Sequence, residues 1–242
     1  MLARQEDLAQ VRKRFVAMAR HEFRTPLATI QSSADLLANY EDRLSESEIT
    51  ELLESIGQGV QRMARMLDRL LLLSRAEAGK IANQSEPLDM AATFARWIAQ
   101  ASSDTDAAAR EIHLEIAPEA ATGRLDPKLL AEVFLNLLSN ALKFSPATAP
   151  VVVRLAREGD VFQLSISDHG PGIPAAEQRH LFQPFYRCSN VGAAQGVGLG
   201  LAIVRVIVDL LGGSVSLQGR PEGGTQVQVR LPQRSRSSGR VG

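Results

Sequence analysis

Ile49, Leu52, Ile56, Val60, Met63, Leu67 and Leu70 recur at intervals of three and four residues. That spacing approximates the repeat of about 3.5 residues that lets α-helices supercoil around one another. Leu53, Met66, Leu71 and Leu73 widen the apolar stripe beyond a single seam. Ahead of it, Ser45-Glu46-Ser47-Glu48 reads as a capping box that opens the helix. An earlier stripe, Leu8, Val11, Phe15 and Met18, resumes after Pro26 as Leu27, Ile30, Ala34 and Leu37 in a shifted register. The shift predicts a bend or rotation around His21 to Leu27. A hairpin of two such helices cannot bury its apolar surface alone. Two hairpins joined in a four-helix bundle would, so the chain is expected to form a homodimer.

Gly79 and the run Asn83-Gln-Ser-Glu-Pro87 mark a hinge to a second domain of different pattern. A helix is expected from about Leu88 to Ala109, then an alternating strand with Ile112, Leu114 and Ile116. Asp126-Pro127 supplies an N-cap and a first-turn proline for the next helix. Strands follow at Val151–Ala156 and Val161–Ser167, a helix at roughly Val197–Leu211, and two final strands at Ser214–Gln218 and Thr225–Leu231. The fold class expected is α+β: a helical hairpin, then a sandwich with helices covering one face of a mixed sheet. The division expected is residues 1–82, 86–232 and a disordered tail at 233–242.

Length and charge narrow the function. At 242 residues the chain holds two modest domains. Lys plus Arg balances Asp plus Glu at 27 each, so no global field points to nucleic acid or an acidic membrane. Val197 to Leu211, the most apolar stretch, is interrupted by Arg205 and Asp209, so no membrane contact is expected of this chain. A single cysteine, Cys188, excludes an internal disulfide and suits a reducing, cytoplasmic setting. Tethering of a longer parent protein to a membrane stays open.

The first chemically pointed segment is Phe15-Val-Ala-Met-Ala-Arg-His21-Glu22-Phe-Arg-Thr25-Pro26-Leu27. An imidazole near its ordinary pKa of about 6.5 is largely a free nucleophile at neutral pH. Glu22 can accept the Nδ1 proton, leaving Nε2 to attack and stabilising the cation that forms. Thr25, four residues on, shares a helical face with His21 and can position a water there. Pro26 removes the hydrogen bond that the carbonyl of Glu22 would accept.

The second is Asn136-Leu-Leu-Ser-Asn140-Ala-Leu-Lys143. Two amides and a lysine on one helical face suit a hydrated magnesium ion bridging phosphate oxygens. Asp168-His-Gly170-Pro-Gly172-Ile173-Pro places a carboxylate at a strand end, where it can accept from an exocyclic amine such as that of adenine. Gly196-Val-Gly198-Leu199-Gly200-Leu201 precedes a helix whose first N–H groups can receive phosphate oxygens. Between them, Leu181-Phe182-Gln-Pro-Phe185-Tyr186-Arg187 and the small residues to Gln195 read as a mobile lid with an aromatic anchor.

In order and spacing these segments resemble the H, N, G1, F and G2 boxes of sensor histidine kinases, whose catalytic domain belongs to the ATPase family that includes DNA gyrase. The resemblance covers essentially residues 8 to 232. It implies ATP and Mg²⁺ as ligands, with Asn140 holding the metal, Asp168 binding the adenine amine and His21 taking the phosphoryl group. Asn136, Lys143, Gly170, Gly172, Gly196, Gly198 and Gly200 would line the site, with Ile173, Phe182, Tyr186, Leu199 and Leu201 beside them and Arg187 reaching the γ-phosphate. It further implies transfer to an aspartate on the receiver domain of a response regulator, with Thr25 serving a reverse phosphatase reaction. Val197 stands where many relatives carry threonine. His113, His169 and His180 match no acceptor position.

Overall fold

Helical periodicity in the first third and alternation in the last two thirds become two compact units, Met1–Ser74 and Arg75–Gly242. The computed structural model of the chain describes residues 23–103, 110–191, 198–220 and 223–233. The stripe from Leu8 to Met18, the residues His21 and Glu22 that open the bend expected at 21–27, and the tail from residue 234 lie outside the described residues.

In the first unit, helix α1 (residues 23–40) runs without a break through Pro26. A short 3₁₀ turn, Glu41–Arg43, leads to α2 (Glu46–Glu77). The capping box forms as expected: the Ser45 N–H donates to Glu48 Oε2 at 2.8 Å, and the Glu48 N–H donates to Ser45 Oγ at 3.3 Å. The Ser45 backbone bond also holds the Glu48 carboxyl below its ordinary pKa. The helices pass close to one another at Gly59, where a Cβ would stand 2.7 Å from Ile30 Cγ1 and 3.4 Å from the Pro26 carbonyl. Only glycine admits that contact. At the far end Gly79 takes a positive φ of 64°, and the Lys80 N–H closes on the Arg75 carbonyl at 2.9 Å, a Schellman stop. Much of the stripe stays in water within one chain: Val60, Leu67, Leu53 and Leu71 are each at least half exposed.

In the second unit a five-stranded sheet runs in the order β2-β4-β5-β7-β6: β2 (Ile112–Ile116), β4 (Val151–Glu158), β5 (Val161–Ser167), β6 (Ser214–Gly219) and β7 (Thr225–Pro232). Only β2 and β4 pair in parallel, so the sheet is mixed. Three helices, α3 (Met90–Ser103), α4 (Pro127–Phe144) and α5 (Gly200–Leu210), complete the layer. Alternation decides the core. Val151, Val153 and Leu155 of β4, Phe162, Leu164 and Ile166 of β5, and Val227, Val229 and Leu231 of β7 are buried. Apolar stripes of the helices are buried with them, including Phe94, Trp97, Phe134, Ile203 and Ile207. Phe94 meets Phe134 edge-on at 4.7 Å between ring centroids.

Two expectations need correction. Leu88 does not start a helix: Glu86–Asp89 forms β1, paired antiparallel with β3 (Thr122–Leu125), and α3 begins at Met90. The last helix begins at Gly200 rather than near Val197, because Gly198 adopts φ 70° and its carbonyl is taken by the Phe185 N–H at 2.8 Å.

Candidate active site

Asp126 starts the site by fixing the helix that carries it. Its Oδ1 accepts the Lys128 and Leu129 N–H groups at 3.0 and 3.1 Å, while Oδ2 accepts the Gln84 N–H at 2.6 Å. Helix α4 then presents Asn136, Asn140 and Lys143 at intervals of four and three residues. Asn136 is buried and its Nδ2 donates to the Glu132 carbonyl at 2.7 Å, so the amide orientation is set and Oδ1 points away from the helix backbone. Lys143 is exposed, its Nζ 4.9 Å from the Phe144 ring centre. At the C-terminal end the Arg110 guanidinium donates to the Leu142 carbonyl and, at 2.9 Å, to that of Ser145.

The Asn face of α4 meets the start of α5. A Cβ on Gly200 would lie 3.1 Å from Asn136 Oδ1 and 3.7 Å from Asn140 Nδ2. Among the described residues no side chain caps α5 at Leu199, so the helix opens with N–H groups that can meet an outside acceptor. Gly198 is equally confined: a Cβ there would stand 2.8 Å from both the Phe185 carbonyl carbon and the Tyr186 carbonyl oxygen.

Asp168 follows β5 directly and is buried. Its Oδ1 accepts the N–H groups of Gly170 at 2.8 Å and Thr225 at 3.0 Å; neither bond uses Oδ2. Burial raises its pKa despite those bonds and the nearby positive charge of Arg220. Gly170 passes close to α4, its Cβ position 2.9 Å from the Phe144 carbonyl. The His169 N–H donates to Ser145 Oγ at 2.9 Å, and its ring Nδ1 lies 3.1 Å from the Pro150 carbonyl. His169 therefore braces the junction between the end of α4 and the Asp168 loop.

Three segments distant in sequence thus converge: the Asn136–Ser145 face, the Asp168–Gly172 loop and the Gly198–Gly200 turn. Leu199 is buried beneath that turn, Leu201 half-buried in the first turn of α5, and Ile173 half-buried beyond Gly172. Phe182 is half-buried, and Tyr186 gives its hydroxyl to Glu177 at 2.9 Å. Arg187 and Thr25 are exposed, Thr25 in the first unit. Gly196 falls in 192–197, outside the described residues. Cys188 is no nucleophile, since burial and the Glu177 carboxylate push its thiol up to about 11.

A model of the His Kinase A (phospho-acceptor) domain matches residues 11–79, and a model of the histidine kinase-, DNA gyrase B- and HSP90-like ATPase matches residues 125–235. A solved structure of the mycobacterial sensor histidine kinase MprB is 31% identical, with TM-score 0.54 over 62% of this chain and 99% of that one. The chain belongs to the sensor histidine kinases. It is 32% identical over 227 residues to the sensor protein KdpD of Escherichia coli (strain K12), covering 93% of this chain and 25% of KdpD. It is 34% identical over 230 residues to the signal transduction histidine-protein kinase/phosphatase MprB of Mycobacterium bovis, covering 91% and 44%. The histidine kinase AdeS of Acinetobacter baumannii shares the fold, with TM-score 0.70 at 22% identity over 89% of this chain and 98% of that one. The chain spans from a quarter to about half the length of the curated relatives it matches. Residues 125–235 of the second unit match the ATPase domain of the family, which implies ATP binding. Among the described residues, no helix is long and apolar enough to cross a membrane.

Four residues of this histidine kinase domain escape its motifs. Ser145 and Arg110 anchor the end of α4, Glu177 gathers the segment after Phe185, and Gly224 leaves room for Asp168. A Cβ on Gly224 would fall 2.0 Å from the Asp168 carbonyl oxygen. Serine, arginine, glutamate and glycine in loops carry no periodicity, so only the contacts single them out.

Proposed function

We propose that the chain catalyses ATP-dependent phosphorylation of His21 and passes the phosphoryl group to an aspartate on the receiver domain of a response regulator. What carries this reading is the convergence of Asn136, Asn140, Asp168 and the Gly198–Gly200 turn in an ATPase-family domain, on a chain whose phospho-acceptor domain contains His21.

The residues divide the work by chemistry. Asp168 Oδ2 accepts the exocyclic amine of adenine. Asn136, Lys143 and the first N–H groups of α5 meet the phosphates, and Arg187 neutralises charge on the γ-phosphate. Glu22 holds the His21 tautomer that leaves Nε2 free for in-line attack. The donor set also fits Mg²⁺: Asn136 Oδ1 is turned outward by its Nδ2 bond to Glu132, and amide oxygens suit an ion bound mostly through phosphate and water. Asn140 would hold it, and the ion supplies neutralisation of charge on the phosphates. Ile173, Phe182, Tyr186, Leu199 and Leu201 shape the pocket, with Gly170 and Gly172 allowing close backbone approach. The exposed stripe of Leu53, Val60, Leu67 and Leu71 supports a homodimer through a four-helix bundle. Reliance on ATP assigns the domain to the cytoplasm, and the receiver is recognised by the helical bundle.

The decisive assay incubates the protein with γ-labelled ATP and Mg²⁺. Label that is acid-labile, base-stable and absent from His21→Gln supports the kinase; ATP binding without label refutes it. A relative named as both kinase and phosphatase, together with an exposed Thr25 on α1, supports a second activity. Loss of phosphate from a pre-loaded receiver, slowed in Thr25→Ala, is its measure.

A further inference from the structure

Glu177 lies in the loop between Gly172 and a short 3₁₀ turn, and three donors from the segment beyond Phe185 reach its carboxylate. Tyr186 donates its hydroxyl to Oε2 at 2.9 Å, the Ser189 N–H donates to Oε2 at 3.0 Å, and Ser189 Oγ donates to Oε1 at 2.5 Å. The Cys188 thiol adds a further bond. A second tie runs beside them, Asn190 Nδ2 donating to the Gly172 carbonyl at 3.1 Å. The Tyr186 ring also lies 5.5 Å from that of His180, whose Nε2 accepts from Arg179 Nε at 3.0 Å.

We propose that Glu177 is a positioning residue of the nucleotide site, its carboxylate fixing residues 186–189 so that the Gly198–Gly200 turn is correctly seated. The role presupposes the ATP reading above. The chain of contacts is short. Tyr186 follows Phe185, a buried residue at φ 65° whose N–H holds the Gly198 carbonyl at 2.8 Å. A phenylalanine stays in the left-handed region only where its neighbours over-determine it. A Cβ on Gly198 would meet the Phe185 and Tyr186 backbone, and one on Gly200 the Asn136 and Asn140 amides. A displacement at Tyr186 is therefore passed to the groups that meet phosphate. Core stability does not explain the cluster, because Ser189 is exposed and Glu177 only half-buried. Water would satisfy that carboxylate equally well.

The test compares wild type with Glu177→Ala, Glu177→Gln and Ser189→Ala. Three quantities are read: Kd for Mg²⁺ and a non-hydrolysable ATP analogue, melting temperature without nucleotide, and KM and kcat for autophosphorylation. If losing the carboxylate leaves roughly a tenth of molecules in the competent arrangement, Kd and KM rise about tenfold in Glu177→Ala. Gln keeps one acceptor and Ser189→Ala keeps the backbone donor, so both give smaller rises in the same direction. The kcat at saturating ATP stays within about twofold, and the nucleotide-free melting temperature within about 2 °C. Wild type that binds the analogue while all three variants bind equally well overturns the role of Glu177 alone. A Kd rise that merely tracks a large fall in melting temperature also overturns it, leaving Glu177 as a fold residue. Wild type that binds no analogue overturns the ATP reading and this role together.

Discussion

Replacing Asp168 by Asn separates recognition from folding at one position. The carboxylate of Asp168 uses Oδ1 for two backbone donors, Gly170 at 2.8 Å and Thr225 at 3.0 Å. An Asn side chain keeps a carbonyl oxygen at that place. At Oδ2 it substitutes an NH₂ donor, which faces the donor amine of adenine with no bond to make. A hydrogen bond to a charged acceptor contributes about 1.5–3 kcal/mol net, so the analogue Kd should rise roughly 10- to 150-fold. Stability should move the other way. Burial raises the Asp168 pKa, so the ionised carboxylate opposes folding at neutral pH. That opposition is relieved as pH falls through the raised pKa, where wild type takes up its proton. Asp168→Asn should therefore melt at or slightly above the wild-type temperature at pH 7, the difference closing on acidification. Calorimetric titration with Mg²⁺ and ATP analogues, with and without the exocyclic amine, gives both halves of a double cycle. Wild type should lose affinity without the amine, and the variant should show no preference. A variant that binds like wild type, or that melts several degrees lower, refutes the assignment and makes Asp168 a clamp between β5 and β7.

The two glycines of α2 give opposite expectations. Gly57→Ala meets nothing within 4 Å and should stabilise the hairpin by up to about 1 kcal/mol, whereas Gly59→Ala drives a Cβ to 2.7 Å from Ile30 and should destabilise it by about 1–3 kcal/mol. Thermal melts of the two variants in one buffer decide the sign. Asp126→Ala strips an acceptor from the Lys128, Leu129 and Gln84 N–H groups in a buried setting, and should cost about 2–4 kcal/mol in urea unfolding.

What the sequence made legible was whatever repeats or caps. The α2 stripe, the Ser45–Glu48 box and the Asp126-Pro127 start each express a local rule, and each forms where that rule places it. The β1–β3 ribbon was not legible. Its strands are four residues long, contain Pro87 and Gly123, and pair Glu86 with Leu125 across a whole intervening helix. Short edge pairing of that kind is decided by tertiary context. The onset of α5 was misread because the apolar run starts before the backbone can turn: Gly198 must first supply a positive φ. Among the candidate site residues, spacing along α4 singled out Asn136 and Asn140 as candidates, yet nothing local distinguishes Glu177 from any loop glutamate.

The charge balance of the chain bears on how such a site holds a polyanion. With 27 basic and 27 acidic residues there is no net field to steer nucleotide in from a distance. On the function proposed above, attraction would arise at contact range, from Lys143, the start of α5 and an ion at the asparagine face. Those donors act only if the elements bearing them are correctly seated. That seating is where the glycines and braces enter: Gly200 admits α5 against Asn136, Gly198 admits the Phe185–Tyr186 backbone, and Gly224 admits Asp168. Side chains at these places would add bulk at distances of 2.0 to 3.1 Å and push the donors apart. Nucleotide binding on the proposed reading therefore depends on clearance between backbones as much as on any charged group, and the residues that maintain it need never touch the nucleotide.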